Sequence, residues 1–131
     1  MKNPLVSLIL VALCALAARA TEPAAPAAAP VVELATFRLK PGASRSDLLA
    51  ASPAVDRFLA SCPGFVSRML IADSDDTFTD IVVWRSQAEA DAALKKHERE
   101  PDACKDYLCL MREDAGTMRH LPVLHAMPAL R

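Results

Sequence analysis

The sequence predicts an α+β fold, one antiparallel sheet of four strands with two helices on a single face. Three observations carry this. Four stretches rich in β-branched and apolar residues, VVELATFRLK (31–40), FVSRMLIA (65–72), TFTDIVVW (77–84) and TMRHLPVLHAM (117–127), are bounded by turn residues. Stretches of helical periodicity separate the first from the second and the third from the fourth. Between the second and third stands only the polar DSDD (73–76), the length of a hairpin loop.

Each element has its own signal. The first strand stops at Pro41-Gly42. Ser44 or Ser46 can then cap a helix, with Asp47 near its positive end. Leu48, Ser52, Val55 and Leu59 fall on one face of that helix, with Phe58 beside them. Pro53 predicts a restart or kink, with Ser52 as a second cap. Cys62-Pro63-Gly64 ends the helix and opens the second strand. After the third strand, Ser86-Gln87-Ala88-Glu89 has the form of a capping box, and the helix it starts runs to about Glu100 before Pro101 breaks it. A further helical piece over 102–112 places Cys104, Leu108 and Met111 on one face. In the last strand Pro122 argues for a sheet edge.

The order β-α-β-β-α-β predicts a ferredoxin-like sandwich. Strands one and three are expected to be parallel, which would make the two helices parallel, with their C-terminal ends side by side. On that geometry any disulfide would join Cys62 to Cys104 or Cys109, with Cys104 preferred because it shares a face with Leu108 and Met111. Cys104 and Cys109 would not pair with each other, since five helical residues rise about 7.5 Å. Three free thiols are the other outcome. The helices cover one face of the sheet only, yet Val31, Val32, Leu34, Phe37 and Leu39 and the run Ile81-Val82-Val83-Trp84 put apolar groups on both. Strands apolar on both faces need cover on both, so a two-fold homodimer, sheet against sheet, is expected.

Residues 1–20 read as a signal peptide: Lys2, an apolar run from Leu5 to Ala18, and Ala18-Arg19-Ala20 as a cleavage site. The run is shorter than the roughly twenty residues that span a bilayer. The expectation is a periplasmic or secreted protein with no stable membrane association after cleavage. Removing Lys2 and Arg19 with the leader leaves 13 basic residues against 16 acidic ones, a net charge of −3. That charge excludes the basic footprint of a nucleic-acid binder. Residues 21–30, TEPAAPAAAP, form a Pro/Ala-rich linker with too little to bury. The folding unit is then 31–127, one small domain.

FRLKPG, CPGFVSRML, DIVVWRSQAEA, and HEREP followed by Tyr107 resemble the antibiotic biosynthesis monooxygenase family of dimeric α/β barrels. The resemblance covers most of 31–127, and its motifs are mainly structural. It implies a homodimer with a pocket between sheet and helices for a small aromatic molecule. It also implies, in many members, oxidation of a phenol or quinol by O2 with no cofactor. His97, four residues before Pro101, matches a helix histidine of quinol-oxidising relatives, although about one helical turn further from Trp84 than is usual there. Tyr107 is a second pocket candidate by the same resemblance. The haem-degrading branch uses a first-strand asparagine where this chain has Ala35, and a helix tryptophan where it has Ala93-Leu94. Asp80-Ile81-Val82-Val83-Trp84 and Met118-Arg119-His120 fit a further subgroup.

The residues themselves suggest a site. Trp84 is in phase with Asp80 and would be a buried anchor, a flat pocket wall, or both. His120 on the last strand could face Asp80 across the first. A neutral imidazole could take a proton from a phenol, and a carboxylate would orient it. His97, between Lys95, Lys96, Glu98 and Arg99, has the neighbours of a solvated face. An open pocket lined by His120 and Asp80 would favour an enzyme. A pocket filled by Phe37, Phe58 and Met69 would favour a non-catalytic binding or assembly module. No metal is expected: Asp73, Asp75 and Asp76 imitate a calcium loop whose sixth and twelfth positions here are Phe78 and Trp84.

Overall fold

The computed structural model describes residues 28–131. The signal peptide expected over 1–20 and the expected linker up to residue 27 lie outside them. The elements are β1 (Val31–Arg38), α1 (Arg45–Ala60), β2 (Phe65–Ala72), β3 (Thr77–Trp84), α2 (Gln87–Arg99), a one-turn α3 (Lys105–Leu108) and β4 (Thr117–Pro122). The sheet order is β2-β3-β1-β4 and every neighbouring pair is antiparallel. This is the expected α+β, ferredoxin-like β-α-β-β-α-β sandwich. Pro122 ends β4 on the sheet edge, where a missing N–H costs no ladder bond.

One part of the expected topology is corrected. β1 and β3 are antiparallel, with Val31 opposite Trp84 and Arg38 opposite Thr77. The reason is connectivity. The crossover through α1 makes β1 and β2 parallel, and the hairpin then reverses β3. The helices therefore run in opposite senses, and the argument from adjacent helix ends does not hold. Cys62 and Cys104 nonetheless share one buried cluster, because the chain turns back beyond Pro101. All three described cysteines are free, with Cys109 exposed.

Ser44 caps α1 reciprocally with Asp47, its Oγ receiving the Asp47 N–H at 3.1 Å and its own N–H donating to the Asp47 carboxylate at 2.8 Å. Pro53 does not restart the helix, which is continuous from Arg45 to Ala60. Pro53 and Leu49 are both on the exposed side, where water can serve the carbonyl that Pro53 leaves unbonded. α1 buries Leu48, Phe58 and Leu59 against the sheet. α2 starts at Ser86, whose Oγ accepts from the Glu89 N–H, and it buries the small Ala90 and Ala93. The expected 102–112 helix shrinks to α3. The chain then pairs with the extension of β1: the Lys40 N–H donates to the Leu110 carbonyl and the Arg112 N–H to the Arg38 carbonyl, both at 2.8 Å. These bonds hold α3 over the helix-covered side of the sheet.

The register decides which side chains meet. Ala35 lies opposite Asp80 on one side and Met118 on the other, and Glu33 lies between Val82 and His120. Alternation then puts Glu33, Ala35, Asp80, Val82, Trp84, Met118 and His120 on the face under the helices. The other face carries Val32, Leu34, Ile81, Met69, Ile71 and Leu121, and nothing among the described residues covers it. Met69 is 60 % exposed there.

Candidate active site

Between the sheet and the helices lies a cavity of about 200 Å³. Its floor is Glu33, Ala35, Asp80, Val82, Trp84 and Met118 from the sheet. α1 contributes Phe58 and Leu59, and α2 contributes Ala93, Leu94 and His97. Cys104, Tyr107, Leu108 and Met111 close the remaining side. The face that Cys104, Leu108 and Met111 were expected to share is therefore a cavity wall. Phe37 belongs to a separate cluster with Phe78 and Tyr107, and Met69 points away on the open face. The cavity is not filled by Phe37, Phe58 and Met69.

At one end the polar groups form a closed network. Arg68 donates from Nε to Asp80 Oδ1 at 2.7 Å, from Nη1 to Ser52 Oγ at 2.6 Å and Asp56 Oδ1 at 2.8 Å, and from Nη2 to Tyr107 Oη at 3.0 Å. The Tyr107 hydroxyl donates to the other Asp80 oxygen, Oδ2, at 2.7 Å. The Arg68 guanidinium lies 5.2 Å from the Tyr107 ring centroid. The Arg68 and Asp80 side chains are 5 % and 10 % exposed, so removing either would strand a buried charge at a cost on the order of 3–5 kcal/mol. Burial pushes the Tyr107 hydroxyl far above its ordinary value, and the adjacent Asp80 charge adds to this. Burial opposes the Arg68 charge, but the Asp80 carboxylate outweighs it and raises Arg68.

This geometry corrects the expected pairing of His120 with Asp80. The two do share a sheet face. Asp80, however, spends both oxygens on Arg68 and Tyr107, while His120 Nε2 bonds Glu33 Oε2 at 2.8 Å. Glu33 lines the cavity and His120 does not. His97, which its charged neighbours suggested was solvated, is half-buried on the cavity wall. Positions 90, 93 and 97 fall on one helical stripe, and that spacing was the better guide. Its ring meets Phe58 edge-on at 5.6 Å. Trp84 is both buried anchor and cavity wall: it is 1 % exposed and packs edge-on against Phe65 at 6.0 Å.

Two buried side-chain nitrogens among the described residues have no hydrogen-bond partner, Trp84 Nε1 and His97 Nε2. Both belong to residues of this one cavity. An unpaired buried polar group costs about 1–3 kcal/mol. Burial raises the thiols of Cys62 and Cys104, keeping the cavity-wall Cys104 protonated at neutral pH. The acidic turn is consumed locally, with Asp76 paired to Arg38 at 2.8 Å and Asp73 accepting from Thr79. No group of His, Cys, Asp and Glu able to hold a metal occurs among the described residues, nor does a helix long and apolar enough to cross a membrane.

Comparison with solved structures places the architecture. SnoaB, a cofactor-independent oxygenase from Streptomyces nogalater, superposes with a TM-score of 0.62 at 19 % identity, covering 78 % of this chain and 100 % of its own. The fold is that of the antibiotic biosynthesis monooxygenases. A candidate antibiotic biosynthesis monooxygenase from Bordetella bronchiseptica gives 0.62 at 13 % identity, covering 74 % of this chain and 99 % of that one. The monooxygenase ActVA-Orf6 of Streptomyces coelicolor, solved with the ligand nanaomycin D, gives 0.57 at 14 % identity, with coverage of 75 % and 90 %. Neither a protein-family model nor a curated protein matches the sequence. The shared architecture of these monooxygenases is thus carried by backbone topology at low sequence identity.

Proposed function

We propose that this chain is an exported, cofactor-independent oxygenase acting on a small phenol or quinol bound between its sheet and helices. The observation that carries the reading is the apolar cavity with two unpartnered buried nitrogens, in a fold shared with a cofactor-independent oxygenase. A cavity near 150 Å³ holds benzene, so about 200 Å³ suits one substituted ring or a compact bicycle. Loss of the hydroxyl proton leaves an electron-rich phenolate able to pass an electron to O2. Trp84 and His97 would bind the ring's polar substituents, and Tyr107, fixed by Asp80 and Arg68, would shape the wall. The base belongs to the β4 side of the cavity, where His120 meets Glu33. Asp80, bonded to both partners, keeps the guanidinium and phenol in place rather than moving a proton.

The leader read from residues 1–20 supports export to the periplasm or beyond, and the uncovered apolar sheet face supports a homodimer. A second reading, ligand binding without turnover, is favoured by the fully bonded state of Asp80. Aerobic incubation of the full chain with a panel of one- and two-ring quinols decides between them. Oxygen uptake should exceed autoxidation and fall in Ala35→Leu, which fills the cavity floor while leaving every polar side chain in place. Ligand binding with uptake at the background rate throughout would leave the non-catalytic reading.

A further inference from the structure

We propose that Glu33 is the group that receives the substrate's hydroxyl proton, with His120 as its positioning residue. This rests on the cavity being the site of an aromatic hydroxyl. It goes further by naming the atom that such a hydroxyl meets.

The argument is by elimination among the titratable groups on the cavity wall: Glu33, Arg68, Asp80, His97, Cys104 and Tyr107. Asp80 has both oxygens occupied, and Tyr107 donates its only hydroxyl proton to Asp80. Arg68 is a cation, and the Cys104 thiol is buried and protonated. His97 and Glu33 remain. Proton transfer from a phenol to a neutral His97 would create two charges in an apolar cavity where there had been none. Transfer to the Glu33 carboxylate moves one negative charge and creates none, so it avoids that desolvation cost.

Glu33 is also the better placed. It sits mid-strand on β1, its side chain 18 % exposed, and its single bond is from His120 to Oε2. Oε1 has no partner among the described residues. In the step, the substrate O–H bond breaks, an H–Oε1 bond forms, and the electron pair stays on the substrate oxygen. His120, on the neighbouring edge strand and outside the cavity lining, fixes the carboxylate by donating from Nε2. That leaves the nitrogens of Trp84 and His97 for a second polar substituent of the ring.

Equilibrium binding of 2-naphthol and of naphthalene to the full chain tests this without requiring turnover. The wild type should prefer the naphthol, because the hydroxyl donates to a charged acceptor. Glu33→Gln keeps an acceptor for His120, and the ratio of naphthol to naphthalene affinity should fall about tenfold. His120→Leu should weaken the preference, and His120→Gln, whose amide can still donate to Glu33, should restore it. A preference unchanged in Glu33→Gln, or lost in His97→Leu instead, overturns the assignment while leaving the cavity as a binding site. Failure of both probes to bind the wild type overturns the cavity reading, and this inference with it.

Discussion

At the residue scale, burial and partner choice decide what each group can do. Tyr107 shows it most plainly. Its hydroxyl is surrounded by protein and bonded to an ionised carboxylate, so its folded-state value lies above its unfolded one, near 10. The folded chain therefore holds this proton more tightly than the unfolded chain. The stabilisation is complete below the unfolded value and is lost as pH rises through it, because only the unfolded chain then gains by ionising. Urea midpoints should accordingly fall above about pH 10, and Tyr107→Phe, although less stable at neutral pH, should show a shallower fall. Equal slopes for the two proteins would contradict the buried Tyr107–Asp80 bond. The same scale separates Asp80 from Glu33. Both are carboxylates on the floor of one cavity, but only Glu33 keeps an oxygen without a protein partner.

At the element scale, the turn between α1 and β2 is tightly constrained. Gly64 has φ +83°, and a Cβ there would collide with the Glu89 side chain. Glu89 in turn accepts from Ser86 at the start of α2. Gly42, at φ +88°, has open space around it. Both positions oppose an L side chain by about 1–2 kcal/mol of backbone strain. Only Gly64→Ala adds a clash that disturbs the α2 cap, whose loss typically costs about 1 kcal/mol more. Thermal unfolding should rank Gly64→Ala below Gly42→Ala by several degrees. The reverse order would mean that Glu89 yields without cost.

For the whole molecule, the sheet has two apolar faces and the described residues cover one. Met69, Ile71 and Leu121 are exposed on the other, beside Val32, Leu34 and Ile81. A contiguous apolar surface of this kind is what a second copy of the chain is expected to cover. Light scattering on residues 21–131 should give twice the monomer mass, and Met69→Lys, which puts a charge into the patch, should shift the population to monomer. A wild-type monomer at micromolar concentration would refute sheet-to-sheet pairing.

Local signals in the sequence determined the elements. The Ser44–Asp47 pair, the Ser86 cap, the glycines at 42 and 64 and the proline at 122 act through their immediate neighbours and stand where their spacing implied. The Glu89 carboxylate, however, takes the Ser86 hydroxyl rather than closing the box on the Ser86 N–H. The hydrophobic pattern also placed Trp84 and Asp80 on one face and His120 within reach of it. Long-range pairing decided the rest. Whether β1 and β3 run parallel depends on how two crossovers and a hairpin combine, which no single element carries. The partner of each charged group depends on register: Glu33 is drawn to His120 because β4 sets them side by side. Arg68 reaches Asp80 and Tyr107 from a strand and a helix 12 and 39 residues away. Arg68 and Glu33 were legible only as lone charges inside apolar strands, a weak signal until the register shows which face they share. The cavity itself is a gap between layers, and its walls come from every layer at once.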